Sequence, residues 1–131
     1  MSAEETYDYA IIRVVPRVDR GELINVGVIL SCPGVNFLEA RIELDPARLA
    51  ALDPSIDVEA TRANLEMIPR ICQGGDGSGP IGELPQRARF HWLVSPRSTI
   101  IQMSPVHTGR TGDPAKALER LLDTMVRPRP S

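Results

Sequence analysis

Between Phe37 and Leu44 the chain reads FLEARIEL, and this alternation restricts the fold more than any other stretch. Leu38, Ala40, Ile42 and Leu44 take one side while Glu39, Arg41 and Glu43 take the other, the period of a strand with one wet face. Such a strand needs neighbours and a cover. Two β-branched segments precede it. Tyr7–Arg17 reads YDYAIIRVVPR, with Ala10, Ile12 and Val14 on one side and Tyr9, Ile11, Arg13 and Val15 on the other. Glu22–Cys32 reads ELINVGVILSC, with Ile24, Val26, Val28 and Leu30 expected to share a side. Val18–Gly21 and Pro33-Gly34 are turn signals, so the three strands form an antiparallel meander. The opposite sheet face is expected to carry Tyr9, Arg13, Asn25, Gly27 and Arg41, as solvent surface, ligand floor or partner surface.

The cover follows in sequence. Asp45-Pro46 predicts a helix start, the carboxylate capping the first turn and proline standing where an N–H has no partner to lose. A second helix is expected from Asp57, with Val58, Leu65, Ile68 and Cys72 on one stripe and Pro69 kinking or ending it. Residues 73–82, QGGDGSGPIG, carry no apolar period and predict a flexible loop. A short helix is expected within Leu84–Leu93 with Pro85 in its first turn, then a fourth strand at Thr99–Met103. From Pro114 to Val126, Leu118, Leu121, Leu122 and Met125 make a helical stripe. Residues 127–131, RPRPS, read as a disordered tail. Taken together the expectation is one α+β domain over residues 1–131: an antiparallel sheet of about four strands with helices packed mainly on one face.

Composition narrows the function classes. The 131 residues have a net charge of −2 and 4% aromatics. A sequence-independent nucleic-acid binder needs a basic surplus, and a single-strand binder needs stacking aromatics. The acidic N-terminus lacks a secretory pattern, and no apolar run approaches the ~20 residues that span a bilayer. Cys32 and Cys72 read as two buried thiols in a reducing cytoplasm. With His91 and His107 they match no zinc-site spacing, and neither a metal nor another cofactor is expected. The Gly-rich stretch lacks the closing Gly-Lys-Ser/Thr of a phosphate loop.

Polar chemistry concentrates in Ser95–Pro114, SPRSTIIQMSPVHTGRTGDP. His107 is expected in a turn between strand and helix, shaped by Pro105 and Gly109. A loop imidazole can serve as acid or base, or it can hold the turn through hydrogen bonds. Thr108 and Arg110 join it as candidates. Arg97, Ser98 and Thr111 could complete an anion site at the last helix, but Asp113 already caps that terminus. In RGELINVG, Glu22 and Asn25 flank the entry to the second strand, and Gly27 implies a bulge or a close approach. Arg13 either snorkels to solvent or pairs with Glu22, Glu39 or Glu43.

Three stretches also look familiar together: YDYAIIRVVP (Tyr7–Pro16), RGELINVGVIL (Arg20–Leu30), and SPVHTGRTGDP followed by the Leu118–Val126 helix. The combination resembles the small bacterial family known as DUF3037 over nearly the whole chain, least in the Gly-rich loop. Its signature falls on Arg13, Pro16, Gly21, Glu22, Asn25, Gly27, Ser104, Pro105, His107, Thr108, Gly109, Asp113 and Pro114. The family has no established activity, so no catalytic role is carried over. Its members are often encoded beside HipA-like kinase proteins, which implies a non-enzymatic accessory or regulatory module partnering such a kinase. The alternative is a small enzyme or anionic-ligand binder using His107, Thr108 and Arg110 with Arg13, Glu22 and Asn25. Convergence of those two groups in space separates the two readings.

Overall fold

A computed structural model describes residues 3–97 and 99–128 of the chain. Strands β1 (Glu5–Val14), β2 (Ile24–Cys32) and β3 (Phe37–Ile42) form the expected antiparallel meander. Helices α1 (Pro46–Leu52), α2 (Val58–Gln73), α3 (Gly79–Gly82) and α4 (Gln86–Val94) follow. The chain then returns through β4 (Ile101–Met103) and β5 (His107–Thr111) and ends in α5 (Pro114–Met125). The strand order is β3-β2-β1, with β4 and β5 both on the far side of β1. β4 pairs with Ile12–Val14 and β5 with Glu5–Tyr9, both antiparallel. The protein is α+β.

Three aspartates do the capping that their sequence positions imply. Asp45 accepts hydrogen bonds from the Ala47 and Arg48 amides, Asp57 from Ala60, and Asp113 from Lys116. Asp53 behaves differently: it accepts from the Ser55 amide and hydroxyl and makes a turn after α1. Pro69 does not end α2, which continues four residues to Gln73. Leu65 and Ile68 before the proline and Ile71 and Cys72 after it are all buried, so packing holds both sides of the helix. At its C-terminus Arg89 donates to the Ile71 and Cys72 carbonyls.

The sheet carries helices on both faces. Ala10, Ile12, Val14, Ile24, Val26 and Ile29 pack with Leu49, Leu65, Ile68, Phe90 and Leu93 from α1, α2 and α4. On the other face Tyr7, Ile11, Val28, Leu30 and Cys32 pack under Leu118, Leu121 and Leu122 of α5. The face expected to hold solvent, ligand or partner is therefore largely occupied by the chain's own last helix. Just past that helix Val126 is buried, whereas its last residue, Met125, is exposed.

A register shift explains why β2 departs from simple alternation. Ile12 pairs with Gly27 but Arg13 pairs with Asn25, so Val26 is an extra residue in β2. This bulge reverses the side-chain order, leaving Ile24 and Val26 toward α2 and Val28 and Leu30 toward α5. Gly27 sits beside it, where a Cβ would run into the Arg41 carbonyl of β3.

The fifth strand is the main correction to the expected topology. HTGRT lies fully extended along β1, with His107 opposite Tyr9 and Thr111 opposite Glu5. It escapes the apolar-alternation rule because it is an outer strand whose side chains are mostly exposed. Gly109 is the one position in it that a side chain could not occupy, since the Tyr7 ring stands where its Cβ would be. Ser104 joins the two outer strands. Its amide donates to the Ile11 carbonyl and its buried hydroxyl accepts from the Ile11 amide, keeping the ladder closed next to Pro105.

Candidate functional site

The six side chains singled out in sequence fall into three separate places. Arg13 donates through Nε to Asn25 Oδ1 at 3.3 Å, and Asn25 Nδ2 donates to the Met125 carbonyl at 3.0 Å. This chain of bonds ties the bulge to the end of α5. Arg13, expected either to snorkel to solvent or to pair with a glutamate, pairs with an asparagine. Glu22 is exposed and pairs with Arg20 of the same loop. The third group lies on β5, and its members diverge. His107 lies 5.5 Å from the Tyr9 ring, centroid to centroid. Thr108, on the opposite face, donates to Asp8 Oδ1 at 2.8 Å. Arg110 stands 3.9 Å from Glu4. His107 is opposite Tyr9 and Asn25 is opposite Arg13, four residues further along β1. At ~3.3 Å per residue this spaces the two groups by roughly 13 Å.

A better-built polar cluster lies beneath α4. Asp8 shares a face with Ala10 and Ile12 and meets Arg87, whose Nη2 donates to Asp8 Oδ2 at 2.5 Å. The other Arg87 terminal nitrogen donates to buried Ser31 Oγ at 2.7 Å, and the guanidinium lies 4.9 Å from the Phe90 ring centre. Burial on its own would raise the Asp8 carboxyl, but the hydrogen bonds from Arg87 and Thr108 outweigh it and hold the carboxyl below its ordinary range. The cluster pins β1, β2 and β5 to α4. An aspartate on the core side of a strand calls for such a partner, a signal that period-two reading of β1 contains.

A second network closes the opposite end of the sheet. Arg127 bonds Glu43 at 2.7–2.8 Å and Glu119 at 2.5 Å, and Arg41 pairs with Glu119 and Glu43. The Arg127 bonds lower the Glu43 carboxyl, and Glu119 is lowered by Arg127 and Arg41 together. The first residue of the supposed tail is therefore anchored, while residues 129–131 lie outside the described residues.

Apolar surface is left open in one groove. Between α2, α4 and β4 lies a cavity of about 340 Å³ lined chiefly by Met67, Ile68, Trp92, Leu93, Ile101 and Met103. Met67 is 38% exposed and Trp92 39%, high values for residues that border a core. The Arg97 guanidinium carbon lies over the Trp92 ring, 3.9 Å from its centre, and Arg97 donates to the Trp92 carbonyl. Ser98, read earlier as a candidate, lies outside the described residues. Sequence reasoning missed the groove because Met67 lies outside the α2 stripe, and because the apolar fragment Phe90, Trp92 and Leu93 of α4 does not separate its buried members from the exposed Trp92.

Cys32 packs under α5 and Cys72 against the other face, so the sheet stands between them. Burial pushes the Cys72 thiol up to about 12, the behaviour of a buried apolar side chain. Among the described residues no helix is long and apolar enough to cross a membrane.

The model of the family described as "Protein of unknown function (DUF3037)" matches residues 9–126. The chain belongs to this family. The match runs from the middle of β1 to the end of α5 and so includes both helical covers and the groove. Neither a curated protein nor a solved structure matches the chain.

Proposed function

We propose that this DUF3037 protein is a non-enzymatic interaction module, an accessory or regulatory partner that docks through the groove between α2, α4 and β4. One observation carries the reading: Met67 and Trp92 stand exposed around a preformed apolar cavity. Apolar concavities rimmed by polar groups suit partner recognition, and methionine and tryptophan adapt well to a docked surface. The resemblance implies a gene neighbourhood shared with HipA-like kinase proteins, which makes such a kinase the partner to test. Two free buried thiols suit a reducing bacterial cytoplasm.

Co-expression of the protein with a HipA-like kinase from the same genome tests this directly. Wild type is expected to co-purify as a micromolar or tighter complex. Met67→Asp places a carboxylate in the docking surface and is expected to weaken the complex at least about tenfold, with the thermal midpoint little changed. Failure of the wild type to form a complex at micromolar concentration counts against the proposal.

A further inference from the structure

We infer that the docked partner segment is an extended, acid-ended strand laid along the outer edge of the sheet, from Arg97 across the groove to Arg110. This rests on the groove being the docking face and adds the conformation and charge of what it accepts.

The backbone supplies the first argument. Val15 donates to the Ile100 carbonyl and Ser104 exchanges bonds with Ile11, so residues 100, 102 and 104 face β1. Antiparallel alternation then turns the N–H and C=O of Met103 outward. The same odd-numbered side of β1 meets His107, Gly109 and Thr111, which leaves the backbone groups of Thr108 and Arg110 pointing away from the sheet. Thr99 Oγ1 already bonds the Ile101 carbonyl, and Pro105 has no N–H. The open edge is thus a broken one, with acceptor and donor groups at Met103, Thr108 and Arg110. Ile101 lies opposite Val14 and Arg110 opposite Thr6, so the edge spans roughly 26 Å at ~3.3 Å per residue, the length of a strand of about nine residues.

Side chains supply the second. Ile101 and Met103 enter the groove, and Thr108, which bonds Asp8, faces the same side of the sheet. A strand added here would set alternate side chains into the apolar cavity at one end and beside Arg110 at the other.

Charge selects the occupant. From Ser95 to Gly112 the chain has no aspartate or glutamate, although the protein as a whole carries more acidic than basic residues. The same stretch holds Arg97, His107 and Arg110. The Arg110 side chain is 68% exposed and its Glu4 partner, 3.9 Å away, is 64% exposed, so solvent weakens that pair; Arg97 places one terminal nitrogen on the Trp92 carbonyl. A second copy of this chain would place this arginine-bearing edge against itself, arginine toward arginine, which cross-strand pairing disfavours. A partner segment with carboxylates at its ends and apolar residues between them fits both ends and the middle.

Trp92 is the only tryptophan, so selectively excited tryptophan fluorescence reports from the groove alone. The probe is a capped peptide of about nine residues, matching ~3.3 Å per residue, with valine and threonine alternating between terminal glutamates; its counterpart has terminal lysines. The acid-ended peptide is expected to shift Trp92 emission saturably and to bind at least about tenfold tighter than the lysine-ended one. The paired substitution R97E/R110E, on two exposed side chains, is expected to reverse that order while the circular dichroism stays unchanged. Equal binding of the two peptides, or preference for lysine, overturns the inference. So does a monomer–dimer equilibrium in sedimentation that itself shifts Trp92 emission. If neither peptide binds while the kinase partner still depends on Met67, the extended acid-ended strand is wrong and the docking role survives.

Discussion

The two faces of this sheet are covered in different ways. Under α5 a single amphipathic helix buries Ala117, Leu118, Leu121 and Leu122, and its far end is closed by Arg41, Glu43, Glu119 and Arg127. On the other face α1, α2 and α4 share the work, and the polar ties of Asp8, Ser31 and Arg87 hold only the β5 end of α4. Toward β4, α2 and α4 leave a groove, and apolar side chains stay exposed there. One face is finished within the chain. The other is complete enough to fold and retains an open apolar site, which is where a partner can add burial that the chain itself has not used.

The comparison breaks most visibly through core truncation. Leu122 is fully buried, so Leu122→Ala is expected to cost about 2–5 kcal/mol in urea unfolding, the lost transfer energy plus the cavity left behind. Met67→Ala, at the groove rim, is expected to cost less than about 1 kcal/mol because its side chain is already partly in water. Similar losses at the two positions would mean that the groove is a closed part of the core.

Acid sharpens the same comparison, with a smaller effect. Asp8 on the α4 side and Glu43 on the α5 side both have folded-state values below their ordinary ones. A carboxyl so lowered binds fewer protons folded than unfolded, so its stabilisation is present above the ordinary value of about 4 and lost as pH falls through the folded value. The thermal midpoint is expected to drop below about pH 4. Asp8→Asn is expected to remove part of that drop and to lower the midpoint at pH 7, where the Arg87 pair is lost. A midpoint-against-pH profile identical to wild type would remove Asp8 from the account.

How much of this could be read from residues depends on the kind of contact. The first three strands and the last helix are carried by local period and by Asp-Pro caps, and each lies within a few residues of its expected position. β5 could not be recognised by period because HTGRT is an edge strand with no buried stripe, so its only signal is Gly109 beneath Tyr7. The reversal within β2 depends on one bulged residue, Val26, which alternation treats as ordinary. The site residues Arg13, Glu22 and Asn25 clustered in sequence with a turn, and His107, Thr108 and Arg110 with another. Neighbours along an extended strand alternate between faces, which is why Thr108 and His107 point to opposite sides. Arg13 and Asn25 do meet, whereas the pair that sequence reading did not offer, Asp8 and Arg87, is separated by 79 positions and joined by the packing of α4.

Hydrogen exchange on the free protein and in the presence of the proposed kinase partner tests the account most directly. Binding is expected to slow exchange across residues 101–110, most at Met103, Thr108 and Arg110, and to reduce labelling at Met67 and Trp92, with α5 unchanged. Slowed exchange confined to α5 and β3, with the β4–β5 edge exchanging as in the free protein, would place the partner on the closed face and contradict it.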